Sequence, residues 1–170
     1  MREQNYPKKK GLHMELKKVD LSNIDDVLAL SVAEDQKSFV ASNQASIVEA
    51  YATTASGLTA LPFGIYEQDE LVGFVMFGYD RLDEEDPAAA DGNYCLWRFM
   101  IDQKFQGRGY GRKALEACVA YLKTAPCGPA EYCWLSYEPE NVRAAGLYKK
   151  FGFEETGEIC GGEIVTVLKL

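Results

Sequence analysis

The sequence predicts a single α/β (α+β) domain built on a mixed central sheet, and three observations predict it. Segments with strand-like patterns alternate with segments of helical period. No repeat or linker divides the 170 residues, a length that suits one domain around one core. A glycine-rich segment, Gln106-Gly107-Arg108-Gly109-Tyr110-Gly111, lies between an apolar run and an apolar-periodic helix. In such a strand–loop–helix setting backbone amides can converge on an anion.

Residues 1–13 form a polar, lysine-containing leader without periodicity. They are expected to be a flexible extension, or the product of an upstream start, outside a domain spanning 14–170. Residues 14–19 read as the first strand. Ser22 is placed to cap a helix bearing Ile24, Val27, Leu28 and Leu30, and Ser42 a second one with Ala45, Val48, Glu49 and Tyr51. Residues 61–67 and 71–79 read as a hairpin around Gln68-Asp69-Glu70, with Phe63 and Ile65 alternating inward. The acidic, Pro- and Ala-containing stretch 80–93 reads as a loop. Residues 94–102 are aromatic and β-branched without helical period, as in a buried strand. After the glycines, Ala114, Leu115, Cys118, Val119 and Leu122 make one apolar stripe. A strand around Trp134–Tyr137, a helix after Asn141 and a hairpin turning at Gly161-Gly162 complete the order β-α-α-β-β-β-α-β-α-β-β.

Composition narrows the function. The chain is 47% hydrophobic and 26% charged with a net charge of −8, which disfavours nucleic-acid binding and tolerates cationic ligands. No apolar run has the length needed to span a membrane, and no secretory pattern opens the chain. The five cysteines (Cys95, Cys118, Cys127, Cys133, Cys160) lack CxxC spacing and read as reduced packing residues of a cytoplasmic protein. His13 is the single histidine and lies in the leader. A Ser-His-Asp triad, a histidine base and a histidine metal site are therefore not expected, and no metal is.

The glycine segment fits no P-loop, and Arg112 stands where G-x-G-x-x-G would need glycine. What remains is Q-x-x-G-x-G, and here the chain resembles the GCN5-related N-acetyltransferase (GNAT) superfamily, whose acetyl-CoA loop reads [QR]-x-x-G-x-[GA] between the fourth strand and third helix. Gln106, Gly109 and Gly111 occupy the fixed places. Downstream, Asn141, Ala144, Leu147, Tyr148, Gly152 and Phe153 match the family's N-x-x-A-x-x-[LF]-Y-x-x-x-G-F.

The resemblance implies a sheet whose fourth and fifth strands splay apart, flanked by about four helices. It implies acetyl-CoA as cosubstrate. Phe99, Met100 and Ile101 would meet the pantetheine arm through their backbone. Gln106, Gly107, Arg108, Gly109, Tyr110, Gly111 and Arg112 would surround the pyrophosphate, Asn141 would contact the coenzyme, and Tyr148 would stand beside the thioester sulfur. An amine attacks the thioester directly, and Tyr148 is placed as the acid for the departing thiolate. The carboxylate that many relatives carry on the fourth strand is absent from Cys95-Leu96-Trp97-Arg98. A water relay or another carboxylate, with Glu138, Glu34 and Asp35 as candidates, is left as the base.

Residues 32–43 and 135–141 resemble the bacterial spermine/spermidine acetyltransferase subgroup, which implies a small polycationic amine held by Glu34, Asp35 and Trp97. Another small amine or a protein amine is the alternative within the class, and a non-catalytic acyl-CoA or polyamine sensor is the alternative outside it. Relatives commonly pair, so a homodimer is consistent with the resemblance.

Overall fold

The computed structural model describes residues 14–170; the expected leader, with His13, lies outside the described residues. Eleven regular elements follow the anticipated order: β1 (Met14–Lys18), α1 (Ile24–Ala29), α2 (Asn43–Ala55), β2 (Thr59–Glu67), β3 (Glu70–Tyr79), β4 (Tyr94–Ile101), α3 (Tyr110–Leu122), β5 (Tyr132–Tyr137), α4 (Val142–Phe151), β6 (Glu154–Cys160) and β7 (Glu163–Lys169). Short 3-10 turns at Glu34–Gln36, Ala88–Ala90 and Gln103–Phe105 join them. The strands form one seven-stranded sheet in the order β1-β2-β3-β4-β5-β7-β6. None of the described helices is long and apolar enough to cross a membrane.

All neighbours in the sheet are antiparallel except β4 and β5. Those two run parallel and pair only at Tyr94↔Cys133 and Cys95↔Trp134, then part, as expected. The junction is fastened by side chains. Asn93 Oδ1 accepts the N–H groups of Glu131 (3.0 Å) and Tyr132 (2.8 Å), while the buried Tyr94 hydroxyl donates to Gly128 O (2.9 Å) and accepts from Cys127 N (2.9 Å).

Alternation along the strands sends their side chains to two faces. On one face α3 and α4 cover Phe63, Ile65, Val75, Phe77, Leu96, Leu135 and Tyr137 with Leu115, Cys118, Leu122 and Tyr148. The Tyr121 ring closes this core edge-on to Phe63 at 5.0 Å and stacked on Phe77 at 5.8 Å. Each such fully buried large side chain stabilises by roughly 1.5–3 kcal/mol. On the other face, α1 and α2 cover Phe74, Met76 and Met100 with Val27 and Ala50. Beyond them the 80–93 loop, through Ala90, covers Cys95, Trp134 and Val165. The stretch read as a bare loop is therefore a lid over the sheet.

Two expectations for the early helices are corrected. Asn23, not Ser22, occupies the N-cap position of α1, and it makes no side-chain cap bond. Its Oδ1 instead accepts from Asp20 N, and Ser22 Oγ donates to Asp20 Oδ1, so an Asx turn at Asp20 has taken both side chains. α1 ends at Ala29, leaving Leu30 beyond it and Leu28 exposed. Ser42 does cap α2, accepting from Ala45 N at 3.2 Å. The buried stripe of α2, however, is Asn43, Ser46 and Ala50, while Val48 and Tyr51 are 63% and 78% exposed. Small residues let α2 lie close to β2, and Asn43 Nδ2 donates to Val27 O at 2.8 Å, tying the two helices together.

Candidate active site

The parting of β4 and β5 opens a cleft of about 650 Å³. β4 enters it through a bulge: Met76 pairs with Arg98 and Phe77 with Leu96, so Trp97 is an extra residue that re-aims the strand. Past the bulge Phe99, Met100 and Ile101 still pair with β3 but have no ladder partner on the β5 side, and all three line the cleft. A strand edge without ladder partners faces the opening, its Ile101 carbonyl bonded by the Gln106 side chain.

At one end stands the glycine loop. Gly107 and Gly109 have φ of +75° and +79°, the left-handed region that glycine enters without strain. Gly109 is the N-cap of α3 and brings no side-chain cap bond. The first-turn N–H groups of α3 are thus not taken by a capping oxygen and lie at the positive end of the helix. A Cβ at either Gly107 or Gly109 would meet nothing within 4 Å, so the space outside them is clear. At Gly111 a Cβ would come within 3.3 Å of Leu147, and that glycine serves the α3–α4 contact.

The loop is held from behind. Buried Asp102 accepts from Ser31 N and Lys104 N, both at 2.9 Å, and Gln103 N donates to Ser31 O at 2.8 Å. Gln106 Nε2 donates to Ile101 O (2.9 Å) and Gln36 Oε1 (2.8 Å), and Gln36 Nε2 returns a bond to Gln106 Oε1 at 3.1 Å. Gln106 spends its side chain on positioning, and Gln36 is its unanticipated partner. Gln106, Gly107, Gly109, Tyr110, Gly111 and Arg112 all line the cleft. Arg108 does not; its guanidinium lies over the Phe105 ring at 5.7 Å.

Across the cleft, Asn141 caps α4 by accepting from Ala144 N at 3.2 Å, which leaves its Nδ2 without a partner among the described residues. Tyr148 sits one face further along α4, its ring 6.1 Å from Tyr137 and 5.5 Å from Phe153. Burial, and secondarily the nearby Cys118 and Cys133 thiols, pushes its hydroxyl well above the usual phenol range. It is therefore protonated throughout neutral pH, and it lines the cleft.

The other expected residues divide. Trp97 and Glu138 line the cleft. Glu34 and Asp35 do not: both are exposed, and Glu34 pairs with Lys37 Nζ at 2.6 Å. The 3-10 turn that carries them points its Gln36, not its acids, inward. In their place the cleft gains Asp86 from the lid, Glu163 from β7 and Ser136 from β5, which sequence reading missed. The signal for Glu163 was its place directly after the Gly161-Gly162 turn, and for Asp86 its place in the acidic loop. Arg98, also in the wall, is neutralised by Glu49 Oε2 at 2.8 Å. Among the described residues no group of His, Cys, Asp and Glu is placed to hold a metal ion.

A strand pair that parts after its first two residue pairs, an uncapped helix N-terminus at one end of the opening and a buried phenol across it define an acyl-CoA-type transferase rather than a dinucleotide or P-loop enzyme. Residues 27–153 match the acetyltransferase (GNAT) family, and the chain belongs to it. It is 32% identical over 161 residues to the spermine/spermidine N(1)-acetyltransferase of Bacillus subtilis, covering 94% of this chain and all of that one. The [ribosomal protein uS5]-alanine N-acetyltransferase of Escherichia coli is 27% identical over 101 residues, 58% of this chain and 47% of that one. Among solved structures, aminoglycoside acetyltransferase AAC(6')-Ib in complex with paromomycin and acetyl-CoA superposes with a TM-score of 0.74 at 18% identity, covering 92% and 93% of the two chains. The chain is an N-acetyltransferase by class.

Proposed function

We propose that the protein transfers the acetyl group of acetyl-CoA to a primary amine of a small polycation of the spermine/spermidine type, by direct attack in a ternary complex. The observation that carries the reading is the parted β4–β5 pair, with clear space outside Gly107 and Gly109 at one end and carboxylates at the other. The full-length likeness to a spermine/spermidine acetyltransferase supports the acceptor class.

The pyrophosphate would lie on the α3 amides with Arg112 beside it, and the pantetheine along the edge at Phe99–Ile101 that β5 leaves unpaired. Asn141 Nδ2 is the donor left over at the α4 terminus. Holding thioester and amine together lowers the barrier by up to roughly 7–11 kcal/mol. As the C–N bond forms and the C–S bond breaks, the thiolate takes the Tyr148 proton. Burial keeps the Tyr148 phenol protonated until the thiolate forms beside it.

The test is an acceptor screen that follows thiol release from acetyl-CoA with spermine, spermidine, diamines, aminoglycosides and peptides. Polyamines are expected to react fastest. Inert spermine and spermidine beside a reactive peptide amine would refute the acceptor class. Acetyl-CoA binding without turnover on any amine would turn the reading to a sensor.

A further inference from the structure

We propose that Ser136 and Glu163 form the proton-accepting pair for the attacking amine, on the face of the sheet opposite Tyr148. The inference rests on the acetyl-transfer reading above and adds the group it lacked. β5 presents Leu135 and Tyr137 to the α3–α4 face and Trp134 to the other, packed with Val165 of β7. Ser136 is two residues past Trp134 and so shares its face. It pairs directly with Val165, which puts Glu163 diagonally across from it on that same face. Ser136 Oγ donates to Glu163 Oε2. Both residues are half-buried and both line the cleft just past the last β4–β5 pair.

A proton donor thus stands on one side of the split and a proton acceptor on the other. The acyl group, threaded between the strands, lies between them. The ammonium gives one proton to Ser136 Oγ as the Ser136 proton passes to the Glu163 carboxylate. The freed lone pair forms the C–N bond, the C–S bond breaks, and the thiolate takes the phenol proton of Tyr148. The second N–H proton leaves the new amide nitrogen to solvent, Glu163 releases its proton and Tyr148 regains one, so each turnover releases one net proton.

The other ionisable groups in this wall are otherwise committed or less well placed. Asp86 Oδ2 accepts from Leu82 N (2.7 Å) and Asp83 N (3.3 Å), holding the lid together. The Cys160 thiol is raised first by burial and then by Asp86 and Glu163, which makes it a neutral neighbour. Arg98 is paired with Glu49. Glu138 and Arg143 lie beyond the end of β5, Glu138 with its backbone oxygen on Asn141 N at 2.9 Å.

The experiment compares pH profiles of kcat/KM for spermidine in the wild type and in Glu163→Gln, Glu163→Asp and Ser136→Ala, with acetyl-CoA affinity and thermal unfolding as controls. Glu163→Gln is expected to lose about 100-fold at pH 7.5, within the usual range for a general base. The deficit should shrink toward pH ~10, where the amine deprotonates unaided. Ser136→Ala should lose about tenfold with the same convergence, and Glu163→Asp should keep the wild-type profile shape at a lower rate. A loss equal at every pH, or none, overturns the proposal while leaving the parent reading intact. If Glu163→Gln does not fold, the other two variants decide by the same criterion. A wild type inert toward spermidine and every amine of the screen overturns the parent reading, and this one with it.

Discussion

The two walls of the cleft are built by different means. The wall toward α3 and α4 is made mostly of backbone: a left-handed glycine at the α3 N-cap and a strand edge without ladder partners, joined by one side chain, a phenol set in a core of buried rings and thiols. The opposite wall is made of side chains collected from afar, Asp86 from the lid, Ser136 and Glu163 from β5 and β7, and Arg98 tied to Glu49 of α2. The first is rigid and common to whatever acyl-CoA chemistry the fold performs. The second can be altered residue by residue without disturbing the first, which is how one fold can serve many acceptors.

The comparison can be tested, the largest effect coming from the thiols of the buried interior. Burial raises Cys95, Cys118 and Cys133 above their usual range. The folded chain therefore holds protons that the unfolded chain releases above pH ~8.5. Stability is intact below that value and is lost as the pH rises toward the folded values, at roughly 1.4 kcal/mol per pH unit for each thiol. Urea unfolding at pH 8 and pH 10 under reducing conditions measures it, and Cys118→Ala should remove one thiol's share of the slope.

Tyr148→Phe keeps the ring packing and removes only the proton. Turnover should fall about 100-fold or more, with acetyl-CoA affinity unchanged by direct titration; an undiminished kcat would remove Tyr148 as the acid. Asp102→Ala leaves the Ser31 and Lys104 amides unpaired near the end of β4. A lower urea midpoint corresponding to about 2–3 kcal/mol is expected. At Gly109 nothing crowds a side chain, yet φ is +79°. Gly109→Val should cost roughly 1–2 kcal/mol of strain and raise the acetyl-CoA KM about tenfold. The spermidine KM should stay the same if the walls are independent. Gln36→Ala is the smallest change, about 1 kcal/mol from the lost amide pair, and it acts on the acetyl-CoA KM alone if Gln36 only braces the loop.

The same division explains what could be read in advance. Element order was legible because apolar period, Gly109 and the Gly161-Gly162 turn act locally. The glycine loop was legible because a backbone device leaves a sequence mark, glycine, where φ is positive, as at Gly107 and Gly109. The opposite wall left no such mark. Ser136 meets Glu163 only through the β5–β7 register, and Asp86 reaches the cleft only because the lid folds back over Trp134. Glu34 and Asp35 looked like acceptor ligands from charge and neighbourhood, but a 3-10 turn decides which of its few residues face inward, and it chose Gln36. On α2 the larger apolar side chains face outward because close packing on the sheet favours small ones.

Asn93 has a mechanical consequence. The halves β1–β4 and β5–β7–β6 share only two residue pairs, so the sheet can spread like a book on a short spine without breaking any further ladder bond. Resistance to spreading then falls on the core under α3 and α4 that spans both halves, on the amide oxygen of Asn93, which grips Glu131 and Tyr132, and on the Tyr94 hydroxyl next to it. Two side chains at the far end of the strands, outside the lining of the cleft, thus help to set its width.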